Sequence, residues 1–143
     1  MLIEVVTTVS AAHVAAFARL LPQLSASAAP LTRAALEHIA GAEANTLFVA
    51  SVDDTIVGAC LLVSFPAPTG VRCMLEDVVV DESARGAGVG SALVGAVLSA
   101  ARAAGARTVD LTSRPSREAA NRLYARCGFV QRTTNVWRRE LQS

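Results

Sequence analysis

Residues Val78 to Ala101, VVVDESARGAGVGSALVGAVLSAA, run an apolar strand into a polar turn, then a glycine-studded loop, then a long alanine-rich helix. No other feature constrains the fold as strongly. Gly86, Gly88 and Gly90 let the backbone curl closely around an anion without Cβ clashes. A helix beginning there aims free N–H groups and its positive dipole end at the same point, which suits a phosphorylated cofactor.

The elements around this loop follow from periodicity and punctuation. Leu2 to Thr8 reads as a strand, and Ser10 caps a helix to about Leu21, stopped by Pro22. A second helix runs from its cap, Thr32, to Ala40, with Gly41 at the C-terminal stop. Thr46 to Val52 and Thr55 to Phe65 form a hairpin about Asp53-Asp54; Pro66 to Gly70 turns the chain again, and Val71 to Val80 returns as a third strand. After the loop, Val89, Leu93 and Val97, broadened by Val94 and Leu98, make the stripe of a helix to about Ala104 laid on a sheet. Arg107 to Thr112 is a further strand, Ser116 the cap of a helix from Arg117 to Cys127, and Phe129 to Gln131 with Thr134 to Leu141 complete the sheet. The fold class is therefore α/β, a central mixed β-sheet flanked by helices.

At 143 residues the chain reads as one domain, 1–143, with no linker or repeat. Its hydrophobic fraction of 52% leans on alanine, and no stretch reaches the roughly 18 uncharged apolar residues of a membrane span. The start MLIEVVTTVS carries Glu4 and no basic residue, so it reads as a strand and not as a signal peptide. A soluble, cytoplasmic protein is expected, with no membrane or nucleic-acid partner. Cys60, Cys73 and Cys127 are too widely spaced for a disulfide framework or a metal site, and His13 and His38 stand alone, so no metal is expected. Net charge is +1, yet residues 1–84 carry three Arg against nine acids and residues 85–143 ten Arg against three. An anionic ligand held by the basic half and a cationic one met by the acidic half would account for this split, as would charges that interleave on folding.

Three readings compete for the loop. A P-loop needs Gly-Lys-Ser or Gly-Lys-Thr, and the chain contains no lysine. A dinucleotide fingerprint would need its third glycine at Ser91, and Asp81 to Arg85 separate the strand from the first glycine instead of a tight turn. What remains is R-x-x-G-x-G, Arg85 to Gly90, after a strand and before a helix. This resembles the acetyl-coenzyme A loop of the GNAT superfamily of N-acetyltransferases. The block NRLYARCGF, Asn121 to Phe129, is similar to the family's later helix with its tyrosine and closing Gly-Phe. Together the two blocks cover residues 74 to 130.

The resemblance implies a set of roles. Backbone groups of Val78, Val79 and Val80 would bind the pantetheine arm of acetyl-CoA, with the Val78 N–H polarising the thioester carbonyl. The loop Gly86, Ala87, Gly88, Val89, Gly90 and Ser91 would hold the pyrophosphate, with Arg85 adding charge. Tyr124 would be the general acid for the departing thiolate, since a phenol of pKa about 10 stays protonated at neutral pH. The family's asparagine position, seven residues before that tyrosine, is Arg117 here, so cofactor contact passes to Asn121 or to Arg117. Otherwise Arg114, Arg117, Arg122 and Arg126 read as a solvated helix face.

Glu76 precedes Val78 by two residues, which in regular alternation gives both one strand face, towards a substrate amine. It is the first choice as general base, with Asp77 on the other side. A plain ion pair with Arg72 would also explain it. The reading is acetyl transfer to a primary amine, of a small molecule, by direct attack in a ternary complex. A protein lysine or N-terminal acetyltransferase and a non-catalytic acyl-CoA-binding module are the alternatives. Loops Ser25 to Pro30 and Pro66 to Gly70 would wall the acceptor site, and TNVWRREL, with Trp137 on a late strand, would supply the interface of a homodimer.

Overall fold

The computed structural model describes residues 1–142. The chain runs through β1 (Leu2–Val5), α1 (Ala11–Leu24), α2 (Arg33–Gly41), β2 (Asn45–Val52), β3 (Thr55–Ala67), β4 (Gly70–Val80), α3 (Val89–Ala103), β5 (Val109–Asp110) and α4 (Glu118–Arg126). One sheet has the order β1-β2-β3-β4-β5, antiparallel except for the β4–β5 pair, which is parallel. The α/β class is as the sequence predicts.

The sheet is covered on both faces. Val89, Leu93, Val94, Val97 and Ala101 of α3 pack with Tyr124 of α4 onto Phe48, Cys60, Leu62, Cys73, Leu75 and Val78. On the opposite face, Leu20 of α1 and Leu36 of α2 cover Leu47, Val49, Ala59 and Val79. Leu93 is fully buried, so its truncation to alanine would cost about 2–5 kcal/mol.

Local chemistry sets the boundaries. Ser10 Oγ accepts from the His13 N–H at 3.3 Å, and the Ser10 N–H donates to His13 Nδ1 at 3.0 Å, so this histidine caps a helix. Thr32 Oγ1 caps α2 through the Ala35 N–H. Asp53 and Asp54 have φ of 49° and 62°, the left-handed pair that closes a two-residue hairpin.

Several expected boundaries move. Helix α1 runs past Pro22 to Leu24, because in the last turn proline removes only a single N–H donor. Strand β3 passes through Pro66, because β2 pairs with β3 only as far as Val63 and leaves one edge open there. The turn shrinks to Pro68-Thr69. β1 stops at Val5, and Ser116 does not cap α4, whose N-cap is Arg117 without a side-chain bond.

The expected strand Arg107 to Thr112 is only two residues long, and no strand is formed after α4 among the described residues. A strand needs a ladder, and β5 is too short to template one. Trp137, expected on that late strand, is 89% exposed.

Candidate active site

Strand β4 carries the decisive irregularity. Ala59 pairs with Val79 and Leu61 with Glu76, so β4 holds one residue more than β3 over that stretch. Asp77 takes a φ of 53°, a left-handed conformation that aspartate tolerates better than most residues. The bulge shifts the alternation of side chains. Glu76 shares the face of its partner Leu61, towards α1 and α2, whereas Val78 packs under α3. The same-face placement of Glu76 and Val78 is thereby corrected, and Asp77 lines a pocket on the α1 and α2 side.

The bulge coincides with a split in the sheet. β5 pairs with β4 only at Cys73 and Met74, so from Leu75 to Val80 the outer edge of β4 has no strand beside it. This bulged stretch, six residues long, leaves backbone donors and acceptors on its outer edge without a strand partner. The strand then ends at Asp81, whose carboxylate accepts from the Ser83 N–H at 3.1 Å and from Arg19 Nε at 3.0 Å. These bonds, the Ser83 backbone first, hold Asp81 below the usual carboxylate range.

The glycine loop turns through Gly86 and Gly88, both at a φ of +82°. Gly88 caps α3 without a side-chain bond, and the Ala92 N–H is the first to close onto it, so the N–H groups of Val89, Gly90 and Ser91 have no intrahelical partner. Gly90 has a different reason to be glycine: a Cβ there would lie 2.8 Å from Leu123 Cδ2, so it lets α3 and α4 approach. Arg85 Nε reaches back to the Val80 carbonyl at 3.3 Å.

These parts border one open cleft of about 780 Å³. Val78, Val79, Val80, Arg85, Gly86, Gly88, Val89, Gly90, Ser91 and Tyr124 all line it. Arg117, Arg122 and Arg126 line it too, which corrects their reading as a merely solvated face; Arg114 does not. Ala87 and Glu76 are not among its lining residues, and nor is Asn121, whose Nδ2 donates to the Arg114 carbonyl at 3.0 Å. Gln23, on α1, lines the cleft and accepts from the Glu82 N–H at 3.0 Å. Sequence reading missed Gln23, Arg19 and Asp81; the Asp-Glu-Ser turn was the signal for the last.

Tyr124 is 7% exposed, and its ring meets Phe129 edge to face with centroids 5.9 Å apart. Burial raises its pKa above the ordinary tyrosine value, Arg117 opposes the rise, and Cys60 adds to it. The phenol therefore holds its proton at neutral pH. Cys60, on β3 opposite the bulge, is pushed up to about 12 by burial and stays a thiol. Burial and the charge of Asp77 both raise Glu76. No cluster of three or more metal-ligating side chains occurs among the described residues, and none of their helices is long and apolar enough to cross a membrane.

A bare sheet edge leading to a helix N-terminus ringed by arginines matches a long thiol arm ending in phosphates. The sequence pattern of the acetyltransferase (GNAT) family covers residues 14–129. The chain belongs to the GNAT family of acetyltransferases. It is 35% identical over 130 residues to glucosamine 6-phosphate N-acetyltransferase 1 of Oryza sativa subsp. japonica, covering 84% of this chain and 76% of that protein. An acetyltransferase structure from Trypanosoma brucei matches with a TM-score of 0.78 at 28% identity, over 97% of this chain and 98% of that one. A protein of Agrobacterium tumefaciens strain C58 shares the fold with a TM-score of 0.86 at 24% identity, over 98% and 100% of the two chains. This GNAT protein is thus an acetyl-CoA-dependent N-acetyltransferase, and the family supplies acetyl-CoA as co-substrate.

Proposed function

We propose that this GNAT acetyltransferase moves the acetyl group of acetyl-CoA directly onto a primary amine of a small molecule, within a ternary complex. One observation carries the reading: the unpaired edge of β4, the uncapped start of α3 and the protonated Tyr124 border the same cleft. Each corresponds to one requirement of thioester aminolysis.

The pantetheine arm lies along Val78 to Val80, and the Val78 N–H donates to the thioester oxygen as negative charge develops there. An oxyanion donor of this kind is worth about 10²–10³ in rate. The pyrophosphate sits on the N–H groups of the loop and of α3, with Arg85 and Arg117 beside it. Glu76, raised by burial and by Asp77, takes one proton from the incoming ammonium through water. The freed nitrogen lone pair attacks the carbonyl carbon and its π pair moves to oxygen. As that pair returns, the C–S bond breaks and the sulfur takes the Tyr124 proton. The second proton of the nitrogen restores the phenol. Asn121, turned to Arg114, supports the start of α4 rather than touching the cofactor.

Cys60 favours the direct route over an acetyl-enzyme, because a thiol with a pKa of about 12 supplies almost no nucleophilic thiolate at neutral pH. A panel of amines assayed for thiol release from acetyl-CoA tests the reading. Release that depends on a small amine supports it; tight acetyl-CoA binding with no release under any condition would mark a non-catalytic module.

A further inference from the structure

The pocket on the other side of the bulge differs in chemistry from the cofactor cleft. It has a volume of about 130 Å³ and is walled by apolar side chains, among them Phe17, Leu21, Leu31 and Leu36. Leu24 and Val79 line both spaces, so the pocket backs directly onto the strand edge at the reacting end of the cleft. Asp77 is the one charged residue lining it, and no arginine or histidine does. Its other polar side chain, Asn45, already donates through Nδ2 to the Ile39 carbonyl at 3.1 Å.

We infer that this pocket is the acceptor site and that it takes a primary amine carrying a compact apolar group, a branched aliphatic chain or a phenyl ring, with its ammonium held by Asp77. The inference rests on the acetyl-transfer reading of the adjoining cleft. Size and polarity both point to it: an apolar cavity of about 150 Å³ accommodates benzene, and this pocket is only slightly smaller. Charge points the same way, because a sugar phosphate would enter a space with a carboxylate and no cation. The bulge explains how Asp77 comes to be there, since regular alternation would have turned it to the other face. The inferred acceptor therefore differs from the glucosamine 6-phosphate in the name of the rice relative.

Steady-state kinetics on ethylamine, isoamylamine, phenethylamine and glucosamine 6-phosphate test the inference, with equilibrium binding of the same amines to the coenzyme A-loaded protein as a second readout. Each buried CH₂ is expected to raise kcat/KM about fourfold, so isoamylamine should exceed ethylamine by about 50-fold. Asp77→Asn keeps a residue that tolerates the left-handed conformation and removes the charge; it should raise the amine KM about tenfold and leave the acetyl-CoA KM unchanged. Leu31→Trp, at a half-buried loop position, should block isoamylamine binding without altering coenzyme A affinity. A preference for glucosamine 6-phosphate, or equal rates along the alkyl series, would overturn the inference and leave acetyl transfer standing. Asp77-dependent binding of isoamylamine without turnover would uphold the pocket and overturn the catalytic reading. Absence of both binding and turnover would overturn the inference.

Discussion

Arg19 Nε and Asp81 Oδ2 lie 3.0 Å apart across 62 residues of sequence, joining helix α1 to the point where β4 gives way to the glycine loop. The same guanidinium also donates to the Ile56 carbonyl, and Gln23, one helical turn on, takes the Glu82 N–H. One face of α1 thus fixes the origin of the glycine loop, the proposed pyrophosphate site. Arg19→Ala is expected to raise the acetyl-CoA KM about tenfold with a small change in kcat, the loss of a charge-assisted bond expressed as binding. An unchanged KM in a two-substrate assay would remove this helix from cofactor binding.

The same contact sets a pH dependence. Asp81 is held below the usual carboxylate range in the folded chain, so its contribution to stability is complete above the ordinary value near about 4 and is lost as pH falls through the lowered folded value. The stability difference between the wild type and Asp81→Asn, read by thermal denaturation, should therefore be constant above about pH 4 and shrink as pH falls below it through the lowered folded value. Parallel curves across that window would contradict the assignment.

Tyr124→Phe removes the proposed proton donor and leaves the ring against Phe129. A loss of kcat of about 10²–10³ is expected with the acetyl-CoA KM within about twofold. Because burial raises the phenol, the alkaline limb of the wild-type rate should lie above about pH 10, and the variant should lack it. Retained turnover would end the assignment.

Glu76 must be ionised to accept a proton, and its raised pKa moves the acid limb of kcat/KM above the ordinary glutamate value. Activity should fall as pH drops through that raised value. Glu76→Gln should flatten the limb and lower kcat/KM by about 100-fold. A limb unchanged in the variant would belong to another group.

The glycines separate by experiment as well. Gly88→Ala places a side chain at φ +82°, with an expected cost of about 1–2 kcal/mol in stability and weaker cofactor binding. Gly90→Ala instead presses on Leu123, beside Tyr124, and should lower kcat about tenfold with a near-native melting temperature. Equal effects of the two on cofactor binding would show both acting in the loop.

The glycine loop and its cleft were legible because their signals are local. Three alternate glycines, an arginine and a tyrosine block each fix a short backbone conformation; Val78 to Val80, Arg85, Gly86, Gly88 to Ser91 and Tyr124 line the cleft, whereas Ala87 and Asn121 do not. The facing of Glu76 and Asp77 was not, because one bulged residue reverses every facing downstream, and nothing in LEDVVV distinguishes a bulge from an even strand. The Arg19–Asp81 pair is equally silent in sequence, since its partners meet only when α1 packs on the sheet. The terminal segment misled for the opposite reason: TNVWRREL alternates like a strand, yet Trp137 stands in solvent.

Initial-velocity kinetics with acetyl-CoA and isoamylamine varied together test the central claim most directly. Direct attack in a ternary complex predicts intersecting double-reciprocal lines and thiol release that stops when the amine is withheld. Parallel lines with an acetylated enzyme intermediate, or no amine-dependent thiol at any concentration, would contradict it.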